Sequence, residues 1–285
     1  MTLPIMEKEA INSYPKTGVI LTTYNQPQWL QKVLWGFEMQ THKDFELIIA
    51  DDGSAEETKE VIDEFSENSS LEIKHIWHPD KGFQKCTILN KAIISCKSDY
   101  LIFTDGDCIP RKDFVEAHLK RAREGRFLSG GYLKLSMEVS KTISREDIVE
   151  QRPFHAKWLR KNGQPFSHKL IKLVKNPYAA GLLNFITPTR PTWNGHNVSG
   201  WKKDILAVNG YNEDMTYGGL DRELGERLMN YGLNGKQIRY FAVCLHLDHP
   251  RPYKTRESMD RNKAIRQKVR RKKITRISNG IEKEK

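Results

Sequence analysis

Tyr100 to Pro110 reads YLIFTDGDCIP, an uninterrupted apolar and β-branched run followed at once by two aspartates around a glycine. A run without polar alternation suits a strand buried on both faces, and such strands belong to parallel sheets covered by helices. In open sheets of that class ligands bind beyond the carboxyl ends of the strands, which is where Asp105, Gly106 and Asp107 fall. The glycine permits a sharp turn, so the two carboxylates can converge. Hard oxygen donors without thiolates favour Mg²⁺ or Mn²⁺, and a diphosphate has the matching need for a divalent cation.

Upstream, Gly18 to Thr23 (GVILTT) is a second run of the same kind, and Trp29, Val33, Leu34 and Phe37 recur at helical spacing behind Pro27. Phe45 to Ala50 (FELIIA) predicts a strand, with Ser54 capping a helix through Phe65. Leu71 to Trp77 predicts another strand and Lys85 to Ser95 another helix. The resulting β-α-β-α-β-α-β order implies an α/β fold, a mostly parallel central sheet with right-handed crossovers and flanking helices. Downstream, residues 137–191 lose the strand rhythm, and Pro153, Pro165, Pro177, Pro188 and Pro191 punctuate what reads as a helical insert. His155 and His168 are expected on its surface; Trp158, Phe166 and Phe185 are expected to pack it. Compact, glycine-rich signals return after Trp193. The expected division is one domain over residues 1–253 and a basic C-terminal tail over 254–285.

Composition bounds the class. The chain has 285 residues, 38% of them hydrophobic, enough for a buried core and against general disorder. No apolar run approaches the ~20 residues that span a bilayer. Glu7, Lys8 and Glu9 interrupt the N-terminus, so no secretory leader is expected there. Cys86, Cys96, Cys108 and Cys244 show no C-x-x-C spacing, which argues against zinc and disulfide frameworks and for a reducing, cytoplasmic compartment. Without a leader, the sequons at Asn68 and Asn197 carry no message. Lys254 to Arg276 holds eleven basic residues against Glu257 and Asp260, a local +9 of the total +11. Such a tail suits a solvated helix face or a peripheral contact with anionic lipid; no nucleic-acid module accompanies it.

Three polar clusters follow the strands: Thr22, Tyr24 and Asn25; Asp51, Asp52, Gly53 and Ser54; Asp105, Gly106 and Asp107. A single aspartate after a strand is ordinarily a turn or cap residue. Three clusters on one rim point to a site.

TTYN (Thr22 to Asn25), DDGS (Asp51 to Ser54), KGFQKCTILNKAI (Lys81 to Ile93) and DGDCIP (Asp105 to Pro110), in that order, resemble the family 2 glycosyltransferases of GT-A fold. Within them they are most similar to the sugar-transferring domains of bacterial chondroitin-type polymerases. WNGHNVSGWKKDILAVNGYNEDMTYGGLDRELGERL (Trp193 to Leu228) resembles a galactosyltransferase-like C-terminal module. The resemblance implies a nucleotide-sugar-binding half over residues 17–136 and an acceptor-binding, catalytic half over 137–253. It implies donor contacts from Thr22, Tyr24, Asn25, Asp51, Asp52, Lys85, Asn90, Asp105 and Gly106. Asp107 is implied as metal ligand, with Asp105 towards the ribose or the metal. Tyr217, Gly218, Gly219, Leu220 and Asp221 stand where the related motif is aromatic-Gly-Gly-acid-acid, so Tyr217 would pack on sugar and Asp221 would be the base; since Arg222 to Asn230 reads as a helix, Asp221 is also its expected N-cap. Leu220 departs from that pattern, which bears on substrate identity. Trp193 and Trp201 are each either core or sugar-stacking platforms, with Trp193 placed among the acceptor- or sugar-binding candidates. A late histidine ligates metal in such relatives, which points to His249 first and His246 second.

An inverting transfer is a single displacement at the anomeric carbon, needing one base and a means of stabilising the departing diphosphate. It needs no carboxylate nucleophile. The resemblance further implies a UDP-hexose or UDP-N-acetylhexosamine donor and a glycan or lipid-linked glycan acceptor in bacterial surface polysaccharide or lipopolysaccharide synthesis. A nucleotidyltransferase would require a glycine-rich phosphate loop that Gly18 to Gln26 lacks. A non-catalytic sugar-binding module would leave Asp221 without a task.

Overall fold

A computed structural model describes residues 14–250 and 253–283; residues 1–13, where no leader is expected, lie outside the described residues, as do residues 251–252 and 284–285. The first half alternates as expected: β1 (Thr17–Thr23), α1 (Pro27–Glu38), β2 (Glu46–Asp51), α2 (Glu56–Asn68), β3 (Glu72–Trp77), α3 (Lys85–Ser95) and β4 (Tyr100–Asp105). Every residue of β1 and β2 is buried, and α1 lays Leu30, Val33, Leu34 and Phe37 on them with no measurable exposure. Ser54 is not the cap of α2. Ala55 holds that place, while the Ser54 hydroxyl accepts the Asn25 amide at 2.9 Å and so ties the first rim cluster to the second.

Next come β5 (Cys108–Pro110), α4 (Phe114–Leu119), β6 (Arg126–Ser129) and β7 (Gly131–Lys134). The helical insert comprises α5 (Met137–Thr142), α6 (Arg145–Val149), α7 (Ala156–Lys161) and α8 (Pro177–Ile186). The chain ends with β8 (Val198–Trp201), α9 (Lys202–Ala207), α10 (Leu220–Asn230), β9 (Asn234–Gln237), β10 (Val243–His246) and α11 (Arg256–Lys272). The main sheet has the order β3-β2-β1-β4-β8-β6-β9, parallel from β3 to β4. β8 pairs antiparallel with β4 and β6, because it arrives from the long insert and not through a right-handed βαβ crossover. A second sheet, β5-β10-β7, sets His246 opposite Cys108.

Three expectations are corrected. Phe166 and Phe185 do not pack the insert; they are 80% and 88% exposed. Asp221 is not the cap of α10, whose N-cap is Gly219; the aspartate sits in the first turn. The basic segment is not a free tail. α11 docks on α10 through Arg266, which meets Glu226 at 2.6 Å, and through Val269 and Asn262, both buried.

Candidate active site

The rim at the ends of β1, β2 and β4 opens into a cleft of 570 Å³ lined by Thr22, Tyr24, Asn25, Asp52, Lys85 and Asp105 to Asp107, among others. A second cavity of 390 Å³ continues from it, with Lys85, Asp105, Phe83 and Tyr253 common to both. Its further walls carry Tyr132, His196, Tyr217 to Asp221, His246 and His249. Both cavities meet at Asp105.

Asp105 is held from two sides. The Thr22 hydroxyl donates to Oδ1 at 2.7 Å and the Lys85 ammonium at 2.6 Å. Burial alone would push this carboxyl up, but the Lys85 charge outweighs it and holds the group well below its ordinary range. The reciprocal holds for Lys85. Burial disfavours its charge, yet Asp105, Asp221 and Asp107 together raise it, so the ammonium persists at every physiological pH.

Asp107 is pinned by its own backbone, whose carbonyl accepts the Leu247 amide at 2.8 Å. That bond, with the β5–β10 pairing, brings two distant motifs together. His249 Nε2 lies 2.8 Å and His246 Nε2 3.7 Å from Asp107 Oδ2, with the two rings stacked at 5.6 Å. Each histidine donates Nδ1–H to a backbone carbonyl, Leu247 at 2.7 Å and Pro250 at 2.8 Å. With Nδ1 so engaged, each ring turns Nε2 towards the Asp107 carboxylate, which is how imidazole ligands are ordinarily oriented for metal. Asp107, Cys108 and His246 also bring one ligand atom each within 4.8 Å of one another. Cys108 belongs to the packing. Burial raises its thiol far above the ordinary value, and Sγ–H donates to Asp107 Oδ1 at 3.3 Å. The carboxylate and imidazole donors therefore fit a divalent metal, Mn²⁺ better than Mg²⁺, which prefers oxygen.

Asp221 enters the second cavity on the first turn of α10. Its carboxylate nests against Gly195, where an added Cβ would stand 2.5 Å from Oδ1. That oxygen is buried without a hydrogen-bond partner among the described residues. Burial is the main reason that its pKa is pushed up to about 6; Lys85 opposes the rise and Asp105 adds to it. Gly218 and Gly219 have φ of +110° and +82°, which deliver the turn before α10. Phe83 and Tyr253 each meet Tyr217 edge to face, at 6.0 and 4.8 Å between centroids, and each other at a tilt at 5.8 Å, above the junction.

Several expected site residues stand elsewhere. Trp193 is fully buried, its indole N–H donating to the Tyr211 hydroxyl at 3.0 Å between Phe103 and Phe127, so it offers no face to a sugar. Trp201 packs edge-on against Tyr100, away from both cavities. Asn90 is likewise internal: its side chain bonds the backbone of Tyr211 and the Glu213 carboxylate and reaches neither cavity. Asp51 lies beneath the cleft, accepting the Ser54 amide at 2.8 Å and facing His75 at 3.0 Å, and Asp52, itself largely buried, is the one that lines the cleft. Asp52 in turn meets His78 at 2.8 Å.

The sequence reading missed His196, Tyr132, Lys134, Phe83 and Tyr253. His196 stands on a turn with no motif of its own; burial depresses its pKa to about 4, against the pull of Asp105. WNGHN could have drawn attention to it, whereas Tyr132 and Lys134 carry no local signal at all.

Residues 18–176 match the family model described as "Glycosyl transferase family 2". The chain is 26% identical over 262 residues to a chondroitin synthase of Escherichia coli, covering 86% of this chain and 37% of that protein. It is 26% identical over 231 residues to a validoxylamine A glucosyltransferase of Streptomyces hygroscopicus subsp. jinggangensis (79% and 54%). The chain thus spans about half or less of the length of these relatives. Among solved structures it is similar to a mannosyltransferase of Pyrobaculum calidifontis in complex with GDP-Man and Mn²⁺, with TM-score 0.58 and 16% identity over 85% of this chain and 59% of that one. It is also similar to S. aureus TarS 1–349 in complex with UDP-GlcNAc, with TM-score 0.56 and 12% identity over 84% and 60%. At such identities the likeness concerns the fold, which is GT-A.

Proposed function

The chain belongs to glycosyl transferase family 2, and we propose that it is an inverting, metal-dependent transferase that moves a hexose or N-acetylhexosamine from a UDP-sugar to a glycan acceptor. The observation that carries this reading is the meeting of Asp107, His246 and His249 where the nucleotide-sized cleft opens towards Asp221. In this reading Thr22, Tyr24, Asn25 and Asp52 line the nucleotide end, and Asp105 with Lys85 marks the ribose and diphosphate end. Asp107, His249 and His246 would hold Mn²⁺ or Mg²⁺, which supplies a Lewis acid for the departing diphosphate. Asp221 takes the proton of the acceptor hydroxyl as its oxygen bonds to the anomeric carbon and the bond to the diphosphate breaks. A carboxyl with a pKa raised to about 6 is a stronger base than an ordinary aspartate and is still ionised at neutral pH. Tyr217 and the glycines beside it form the sugar-facing wall.

The acceptor is proposed to be a surface polysaccharide or lipid-linked glycan, a reading supported by likeness to the chondroitin synthase, and the chain is proposed to work at the cytoplasmic side. Donor hydrolysis across a panel of nucleotide-sugars tests the whole scheme. UDP-sugars with Mn²⁺ are expected to be turned over and EDTA to abolish the reaction, with Asp107→Ala not rescued by added metal. Undiminished turnover in EDTA would overturn the metal assignment.

A further inference from the structure

Between Glu150 and Asp204 the chain carries no Asp or Glu, yet ten Lys and Arg fall in those 53 residues. α8 lies inside this acid-free stretch. Tyr178, Leu182, Phe185 and Ile186 are 87%, 60%, 88% and 57% exposed. At ~100° per residue these four side chains fall within an arc of about 100° on one side of the helix. Ala180, on the opposite side, is buried. Phe166 and Ile171 in the same stretch are exposed too, as are Lys169, Lys175 and Arg190. Single exposed apolar residues are commonplace, but a continuous helical face of this size marks an interaction surface.

The segment that leads into α8 is joined to the active site. Lys172 donates to the Tyr132 carbonyl at 2.7 Å and lies 5.0 Å over its ring, and Tyr132 is a wall of the cavity that holds Asp221. α11, by contrast, exposes Met259 alone among its large apolar residues, at 39%: Val269 is buried and Ile265 packs on the core around Trp193, so no continuous apolar face is left to enter a bilayer.

We propose that the α8 face docks on an anionic lipid bilayer, inserting Tyr178, Leu182, Phe185 and Ile186 at the headgroup boundary while the surrounding lysines and arginines meet the phosphates. No carboxylate of residues 151–203 repels a negative surface and each basic residue adds attraction, while Asp113 and Glu116, which line the hollow beside Lys175 and Ala180, are paired there with Arg111 and Lys120. The proposal goes beyond the transfer reaction and is tested without turnover. Full-length protein is sedimented with vesicles of phosphatidylglycerol and phosphatidylcholine, and with phosphatidylcholine alone. The wild type is expected to sediment with the former only, and less as salt rises. Leu182→Ser with Phe185→Ser should weaken binding by at least ~10-fold at unchanged melting temperature, since two large apolar side chains leave the interface. Should that pair not fold, Lys169→Glu with Arg190→Glu should do the same. Lys263→Glu, Lys268→Glu and Lys272→Glu together, on α11, should leave binding near the wild-type value. The proposal is overturned if the wild type ignores anionic vesicles at low salt, if the α11 variant alone loses binding, or if the α8 face instead holds a dimer that Leu182→Ser and Phe185→Ser dissolve.

Discussion

Asp221 combines two properties that conflict in a folded protein. Its carboxylate is wanted as a base, yet burial works against its charge and lifts the pKa from 3.8 to about 6. Because the folded value lies above the unfolded one, the protonated form favours folding, and that contribution disappears as pH rises through about 6. Asp221→Asn is therefore expected to melt higher than the wild type at pH 8 in metal-free buffer, by at most about 3 kcal/mol, and to show no such gain near pH 4. The same substitution should lower turnover ~10²–10⁴-fold with donor affinity retained, and wild-type turnover should fall as pH drops below about 6. Retained turnover would move the base elsewhere. Lys85→Met tests the neighbouring charge: it leaves Asp105, 23% exposed in the cleft wall, without its ammonium, which should cost ~1–3 kcal/mol in denaturant unfolding. Both roles rest on tertiary neighbours. The D-G-D run is legible as a ligand set, but that Gly195 seats Asp221 and that His196 stands beside Asp105 is not legible in WNGHN, because both encounters are made across the fold.

At the level of elements, α11 changes its meaning most between sequence and structure. Eleven basic residues look like a solvated tail, because charge is visible in a sequence and docking is not. In the fold, Asn262 on α11 donates to the carbonyls of Thr216, Tyr217 and Gly218 at 2.8–3.1 Å, the backbone just before the proposed base. An added Cβ at Gly218 would stand 2.3 Å from the Met259 sulfur, so helix and turn are closely fitted. A chain ending at Tyr253 is accordingly expected to lose turnover even on a soluble acceptor. Asn262→Ala should lower kcat more than it raises KM, with Asn262→Gln restoring part of the loss. Equal effects on both parameters, or none, would make α11 a mere cover. The first four strands and three helices, by contrast, follow from local pattern within one to three residues, α2 running on to Asn68 beyond the expected Phe65, since each is set by adjacent residues. β8 and the β5-β10-β7 sheet do not, because their partners lie scores of residues away and each strand is too short to carry a period.

On the scale of the whole molecule, the two cavities and the histidine pair depend on both halves of the chain at once. Nucleotide and metal should then stabilise the fold together. UDP with Mn²⁺ near 100-fold above its dissociation constant is expected to add ~2.7 kcal/mol, a rise of several degrees in Tm, while UDP in EDTA should give clearly less. An identical shift with and without metal would separate the nucleotide cleft from Asp107 and its histidines. Among the described residues no helix is long and apolar enough to cross a membrane. The sequence by itself determined the parallel half of the sheet, the order of the rim clusters and the family resemblance, because short buried strands and D-x-D turns are written in adjacent residues. Tertiary structure alone decided that Trp193 is core, that Asp52 and not Asp51 faces the cleft, and that His246 and His249 reach Asp107. It also decided that the basic segment is a docked helix and that α8 is bare. Burial and encounter depend on residues far apart in the chain, and only the packed fold brings them together.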